Sequence, residues 1–292
     1  MKKLSLGKSF RRARENRGLN QAKAGEGVIA KSTLSDFENE KTDIKSSNIL
    51  GLLRNLNISF QELLYIGNDY ELEGFTKIWI QAYKHYYEKN IRALRSLLQR
   101  EKANLDDQNL SIIYDELNYL QLKNLVSRID SSFALSSSEK NKVIDYLNST
   151  KYWTYYDLAL YGNILDVFDS ENIQILSDKI VLRTSFFKSI PENKRLIAEV
   201  LVNTMSEFLN RGELNRAIHF QKQVENELEE TDVFVRVIFL FVMGELEHYK
   251  GMSSGREKMQ AAIDIFDRIG SQRIADQYQK NYDRIIKKSE NL

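Results

Sequence analysis

The segment AKSTLSDFENEK, Ala30 to Lys41, gathers small polar residues, an apolar pair and a closing Glu into one short run. That mixture suits a helix offering hydrogen-bonding side chains to the edges of base pairs. Asp36 stands against this, because it lies where a groove-facing side chain belongs and a carboxylate repels phosphate. Catalytic chemistry has less to work with. The three histidines, His85, His219 and His248, are scattered, and no HExxH, CxxC or GxxxxGK[ST] pattern occurs. "GKS" at Gly7–Ser9 lacks the upstream glycine and strand of a phosphate loop. Acidic pairs such as Asp106-Asp107 and Glu229-Glu230 look like solvated turns. The sequence therefore predicts no enzyme, no metal and no cofactor.

The elements that must position the polar run are short helices. Leu6, Phe10 and Ala13 recur at helical spacing, and Gly18 sits where a C-terminal cap belongs. Asn20 can cap a second helix through about Gly25, and a third runs from roughly Lys31 to Asn39. Ser46 or Ser47 starts a fourth, and Ser59 caps a fifth with Glu62 just inside. After Gly67-Asn68-Asp69, amphipathic helices of about 15 to 25 residues follow, with breaks expected near 103–107, 130–138, 149–152, 169–171, 189–192, 211–212, 230–231, 251–255 and 270. "GELNRAIHFQKQVENEL" and "GREKMQAAIDIFDRIG" each place an Ala-Ile pair (217–218, 262–263) ahead of an aromatic. This resembles the second helix of a tetratricopeptide-type repeat, although the spacing is longer than the standard repeat.

Bulk composition agrees. One proline and 13 glycines in 292 residues leave few helix breakers and few turns of the kind sheets need, so the chain should be all-α. The absence of cysteine excludes disulfides and thiolate metal sites. No apolar h-region follows the first basic residues, and Val233–Met243 contains an Arg and is too short to span a bilayer. A cytoplasmic protein without membrane association is expected. Charge is unevenly spread: up to Tyr65 there are 12 Lys/Arg against 7 Asp/Glu, and the remainder is net acidic. Lys2, Lys3, Lys8, Arg11, Arg12, Arg14 and Arg17 meet only Glu15, as a phosphate-binding head would require.

Arg14, Gly18-Leu19-Asn20-Gln21, Ser32-x-Leu34-Ser35-x-Phe37-Glu38-Asn39 and the closing "LNISFQELL" fall in register over residues 6–66. Together they resemble the helix-turn-helix of phage repressors, Cro proteins and their bacterial relatives. The resemblance makes Arg14 and Glu38 a buried structural salt bridge and Leu19, Leu34 and Phe37 core. It places Arg11, Asn20 and Gln21 among the DNA contacts, the last two at the backbone. Lys31, Ser32, Thr33 and Asp36 become groove-facing, with Lys31 able to donate to guanine O6/N7 and Asp36 to accept from cytosine N4. Two departures stand out. Glu40 replaces the Gly or Lys usual after the Asn, and Gly25 and Gly27 lie in or beside a usually firmer second helix.

Beyond the head, "FTKIWIQAYKHYYEKNIRALRSLL", "KYWTYYDLALYGNILDVFD" and "SSGREKMQAAIDIFDRIG" resemble the Rgg/GadR/MutR regulators, cytoplasmic receptors for imported signalling peptides. The resemblance implies a helix-turn-helix domain over 1–66, a linker at 67–72, and a helical-repeat superhelix over 73–292. It further implies a homodimer that binds double-stranded promoter DNA and a short linear peptide, with a contact to RNA polymerase. Asn163 and Asn203 interrupt apolar helix faces and match asparagines of the family. An amide offers both donors and an acceptor to an extended peptide, and an intramolecular hydrogen bond to a neighbouring helix is the alternative. Tyr83, Trp153, Tyr155, Tyr156, Tyr161, Phe239 and Phe241 are mostly core by type; Tyr83, Tyr155 and Phe239 are carried as groove residues. Tyr83 stands where some members have an arginine, which implies a different peptide. Without cysteine, the dimer must rest on packing. The competing reading is a helical-repeat adaptor whose head mainly dimerises.

Overall fold

The computed structural model describes residues 5–72, 74–107 and 113–290, and among them every regular element is helical. Contacts divide the chain into two units, Met1–Tyr87 and Glu88–Leu292.

In the first unit, α1 (Leu6–Asn16), α2 (Gln21–Gly25), α3 (Lys31–Glu38), α4 (Ser46–Leu56) and α5 (Phe60–Gly67) enclose one core. Phe10, Leu34, Leu52 and Leu63 are its largest buried side chains. The caps are local and sequence-encoded. Ser5, Asn20 and Ser59 each accept from the backbone N–H three residues on. Ser59 and Glu62 complete a reciprocal capping box. The approach of α1 to α3 depends on Gly7, where an added Cβ would lie 2.0 Å from the Phe37 carbonyl oxygen. The unit also takes in α6 (Gly74–Tyr87), which by sequence groups with the repeats. Phe75, Trp79, Tyr83 and Tyr87 form a ladder of ring contacts along it.

The second unit contains α7 (Ile91–Asp107), α8 (Ile113–Ser127), α9 (Ser137–Ser149), α10 (Tyr155–Ile164), α11 (Ser170–Asp178), α12 (Ile180–Arg183), α13 (Pro191–Asn210), α14 (Leu214–Glu227), α15 (Val233–Tyr249), α16 (Ser254–Arg268) and α17 (Gln272–Ser289). Pairs adjacent in sequence pack on each other: α7 on α8, α13 on α14, α15 on α16 and α16 on α17. A second set of contacts links α8 to α10, α10 to α13 and α13 to α15, giving a continuous row. The main core follows that row, with Trp153, Tyr161, Phe208 and Phe220 buried in it. Ala217 and Ala262, the small residues of the two similar helices, are fully buried.

Three differences from the sequence-based expectation have physical causes. The break expected near 103–107 is still helix, since α7 runs through Asp107, where this stretch of described residues ends. A further break, not expected, falls at 88–90, where Lys89 takes φ +53° and the Asn90 side chain accepts from Ala93 N–H to start α7. Finally, α10, α11 and α12, at 10, 9 and 4 residues, are shorter than expected. Thr154 and Asp169 cap α10 and α11 close to the expected breaks, and a 3-10 turn at Leu165–Val167 and an interruption at Lys179 shorten the helices between them.

Candidate functional site

The polar run Ala30–Lys41 forms α3 and the turn after it. Lys31, Ser32 and Thr33 are exposed, while Leu34 and Phe37 are buried behind them. The N-cap, Ala30, has no side-chain acceptor, so the N–H groups of the first turn are uncapped. Asp36 is half-buried, with Lys41 Nζ 3.4 Å from its carboxylate. This ion pair offsets the charge that would repel phosphate and holds Asp36 toward the C-terminal end of the helix.

The helix is held by one buried ion. Arg14 donates from Nε to Glu38 Oε1 at 2.6 Å, from Nη2 to Glu38 Oε2 at 2.9 Å, and from Nη1 to the Leu19 carbonyl at 2.7 Å. A bidentate guanidinium–carboxylate pair fixes orientation as well as charge. The hydrogen bond to Glu38 raises the Arg14 pKa, against the opposing effect of burial. Gln21 Nε2 donates to the same Glu38 Oε2 at 2.8 Å, so α1, α2 and α3 meet on one carboxylate. Gln21 thus spends one amide hydrogen internally and keeps the other. Asn20 stays exposed while its side chain caps α2. Arg11 is exposed and donates to Glu15 at 2.8 Å. Lys2 and Lys3 lie outside the described residues.

Two features of this head were missed in the sequence. Asn55 Nδ2 donates to the Ala24 and Glu26 carbonyls, both at 2.9 Å, tying off the end of α2 where its glycines fall. Glu40 adopts φ +61°, which is the physical reason a glycine suits this position. It forms an ion pair with Lys8.

In the second unit, the row of helices carries four of the five residues assigned to a peptide. Tyr155, at the start of α10, is 54% exposed. Asn163, on the same helix, donates from Nδ2 to Gln121 Oε1 of α8 at 2.9 Å. Its backbone carbonyl accepts from Asn124 and Arg128, which also bind Asp166. One amide hydrogen of Asn163 is therefore committed to a neighbouring helix. Asn203 does not interrupt an apolar face: it is exposed on α13, on a polar stripe with Glu199, Ser206 and Asn210, because the apolar residues of this stretch turn to the core. Phe239 is half-buried on α15 against the main core. Tyr83 is half-buried on α6 in the first unit, within the ring ladder. Of the other aromatics, Trp153, Tyr161 and Phe241 are buried, and Tyr156 donates to Asn118 at 3.0 Å.

No helix among the described residues is long and apolar enough to cross a membrane. Residues 10–63 match the helix-turn-helix family profile. Among solved structures, the chain is similar to the Streptococcus dysgalactiae SHP pheromone receptor Rgg2, at TM-score 0.79 and 23% identity, over 96% of this chain and 99% of that one. A Listeria monocytogenes EGD-e protein described as a transcriptional regulator aligns at TM-score 0.82 and 18% identity, over 99% of both chains. The PrgX/cCF10 complex aligns at TM-score 0.70 and 16% identity, over 97% of this chain and 92% of that one. At these identities the likeness concerns the fold. Residues 96–280, well over half of the chain, match the profile of the HTH-type transcriptional regulator Rgg, C-terminal domain, and the chain belongs to this family of helix-turn-helix transcriptional regulators.

Proposed function

We propose that this regulator binds promoter DNA through α3 and changes its DNA binding when a short linear peptide occupies the α10–α13–α15 row. Residues 1–66 act as the DNA-reading domain, 67–72 as linker, and 73–292 as the peptide-binding and dimerising part of a cytoplasmic homodimer. Contact with RNA polymerase would be a further output of the same dimer. Lys31, Ser32 and Thr33 form the reading edge, Asp36 selects bases at its far end, and Arg11, Asn20 and Gln21 hold the phosphates. The fold likeness to a pheromone receptor and to a regulator described in complex with cCF10 supports the peptide half of the reading.

The observation that carries the peptide assignment is Asn203. It lies exposed on α13, the helix flanked by α10 and α15, with Tyr155 and Phe239 on those neighbours. An exposed amide on the polar stripe of that helix can pair with both the N–H and the C=O of an extended chain. Asn163 contributes what Gln121 leaves free, its Oδ1 and second amide hydrogen. Tyr83 stays in the assignment through the family resemblance alone.

Fluorescence anisotropy of labelled promoter fragments across a salt series tests the DNA half. Affinity should fall steeply with salt, since phosphate contacts release counterions. Lys31→Ala should weaken the cognate site more than a scrambled one. Equal loss on both would make Lys31 a phosphate contact. Binding that ignores salt would remove the DNA reading altogether.

A further inference from the structure

The second unit leaves an apolar strip uncovered on its surface. Leu182 on α12, and Phe186 and Ile190 in the turns after it, recur every four residues, and the first two are 74% and 70% exposed. Hydrogen bonds from Arg183 N to the Lys179 carbonyl, from Lys188 N to Thr184 and from Ile190 N to Phe187 hold this segment in successive turns. The Tyr152 ring meets Phe186 edge-on at 4.6 Å, which widens the strip. The charge around this end is basic. Lys151 Nζ lies 5.1 Å over the Tyr152 ring, and Lys188 is exposed between Phe186 and Ile190. Arg183 is turned inward, over the Trp153 ring and onto the Leu147 and Asn148 carbonyls. Monomeric proteins rarely leave a contiguous apolar strip like this open to water.

The strip continues into surface of opposite charge. Glu192 opens α13, and Lys194, one half-turn on, pairs with Glu229. That pair brings the turn between α14 and α15 to the start of α13. The turn carries Glu229, Glu230 and Asp232 and leads into Val233, 58% exposed, and Phe234, also exposed. Exposed apolar side chains thus run between lysines at one end and, at the other, the carboxylates of Glu192, Glu229, Glu230 and Asp232, which outnumber Lys194 and Arg236 beside them. A face of this design complements itself. A two-fold axis across it lays the basic end of one copy on the acidic end of the other, and does so twice. The apolar residues then bury each other while the charges set register.

We propose that this face, from Tyr152 and Leu182 to Val233 and Phe234, is an interface between two copies of the chain. The proposal rests on the homodimer in the reading above and supplies its surface. Two full-length variants test it. Lys151→Glu with Lys188→Glu makes both ends acidic, and Glu192→Lys with Glu230→Lys makes both ends basic. Sedimentation equilibrium should show each variant alone with a dimer Kd at least about tenfold above that of the parent, since like charges now face each other. An equimolar mixture of the two should return to the parent Kd, because every acidic end then meets a basic one. That rescue also shows that both variants fold. Phe186→Ser in the parent should weaken the dimer as well. Either charge variant dimerising alone like the parent would overturn the proposal and leave the homodimer intact through another surface. A mixture that stays monomeric would also overturn it, and a parent chain that is monomeric throughout would overturn the homodimer too.

Discussion

Glu245 offers a quantitative prediction about the second unit. It lies on α15, 3% exposed, and its Oε1 has no hydrogen-bond partner among the described residues. Burial pushes its pKa up to about 7, against the pull of Arg284 and Lys288 of α17, from an ordinary value of 4.5. These two cations are engaged elsewhere: Arg284 donates to Asn210 Oδ1 at 3.2 Å and Lys288 to the Asn210 carbonyl at 3.0 Å. In the unfolded chain Glu245 ionises near its ordinary pKa, while in the folded chain it keeps its proton up to about 7. Between those values the folded state holds one more proton, so stability falls as pH rises. A tenfold difference in proton affinity between the two states is worth about 1.4 kcal/mol, so the loss approaches roughly 3 kcal/mol by pH 8. Glu245→Gln stays neutral throughout and should escape that loss. Urea denaturation from pH 4.5 to 8.5, followed by circular dichroism, should show Glu245→Gln gaining roughly 3 kcal/mol on the parent across the series. Parallel pH profiles would mean that Glu245 titrates normally and that its burial does not shift it.

Other substitutions test the head. Glu38→Ala strands the Arg14 guanidinium and the Gln21 amide, and should cost about 3 kcal/mol in the thermal melt of the first unit, because a largely buried charge loses its partner. Glu40→Gly relieves a side chain at φ +61° and should raise stability by about 0.5–1 kcal/mol, the exposed ion pair with Lys8 being worth less. Gly7→Ala should lower stability by about 2 kcal/mol or more, since its Cβ would run into the Phe37 carbonyl and push α3 off α1.

What could be read in the sequence follows the range of each interaction. Asn20 and Ser59 were legible as caps because a cap acts within three residues of itself. The all-helical fold was legible because proline and glycine are scarce. Arg14 and Glu38 are 24 residues apart, and only the resemblance to repressor heads suggested their pairing. Gln21 on Glu38 and Asn55 across the end of α2 depend on where three helices converge, which periodicity does not encode. The same holds for α15 and α16. Gly244 and Gly255 let these helices meet so closely that a Cβ on Gly244 would lie 2.7 Å from the Gly255 carbonyl oxygen. In sequence, Gly255 reads as part of a break. Glu245 looks like an ordinary surface residue until α17, some forty positions later, packs over it. The exposed polar edge of α3 was legible by type, but the tie from Asp36 to Lys41 was not.

Peptide bound on α13 should alter DNA binding by α3, and one paired titration reads both events. The full-length chain is titrated onto labelled promoter DNA with and without a panel of short hydrophobic peptides, in parallel with Asn203→Ala. One such peptide should shift the midpoint for the parent while its scrambled form does not. Asn203→Ala should bind DNA as the parent does and lose the shift. A midpoint that no peptide moves, or a shift that survives unchanged in Asn203→Ala, would contradict that claim.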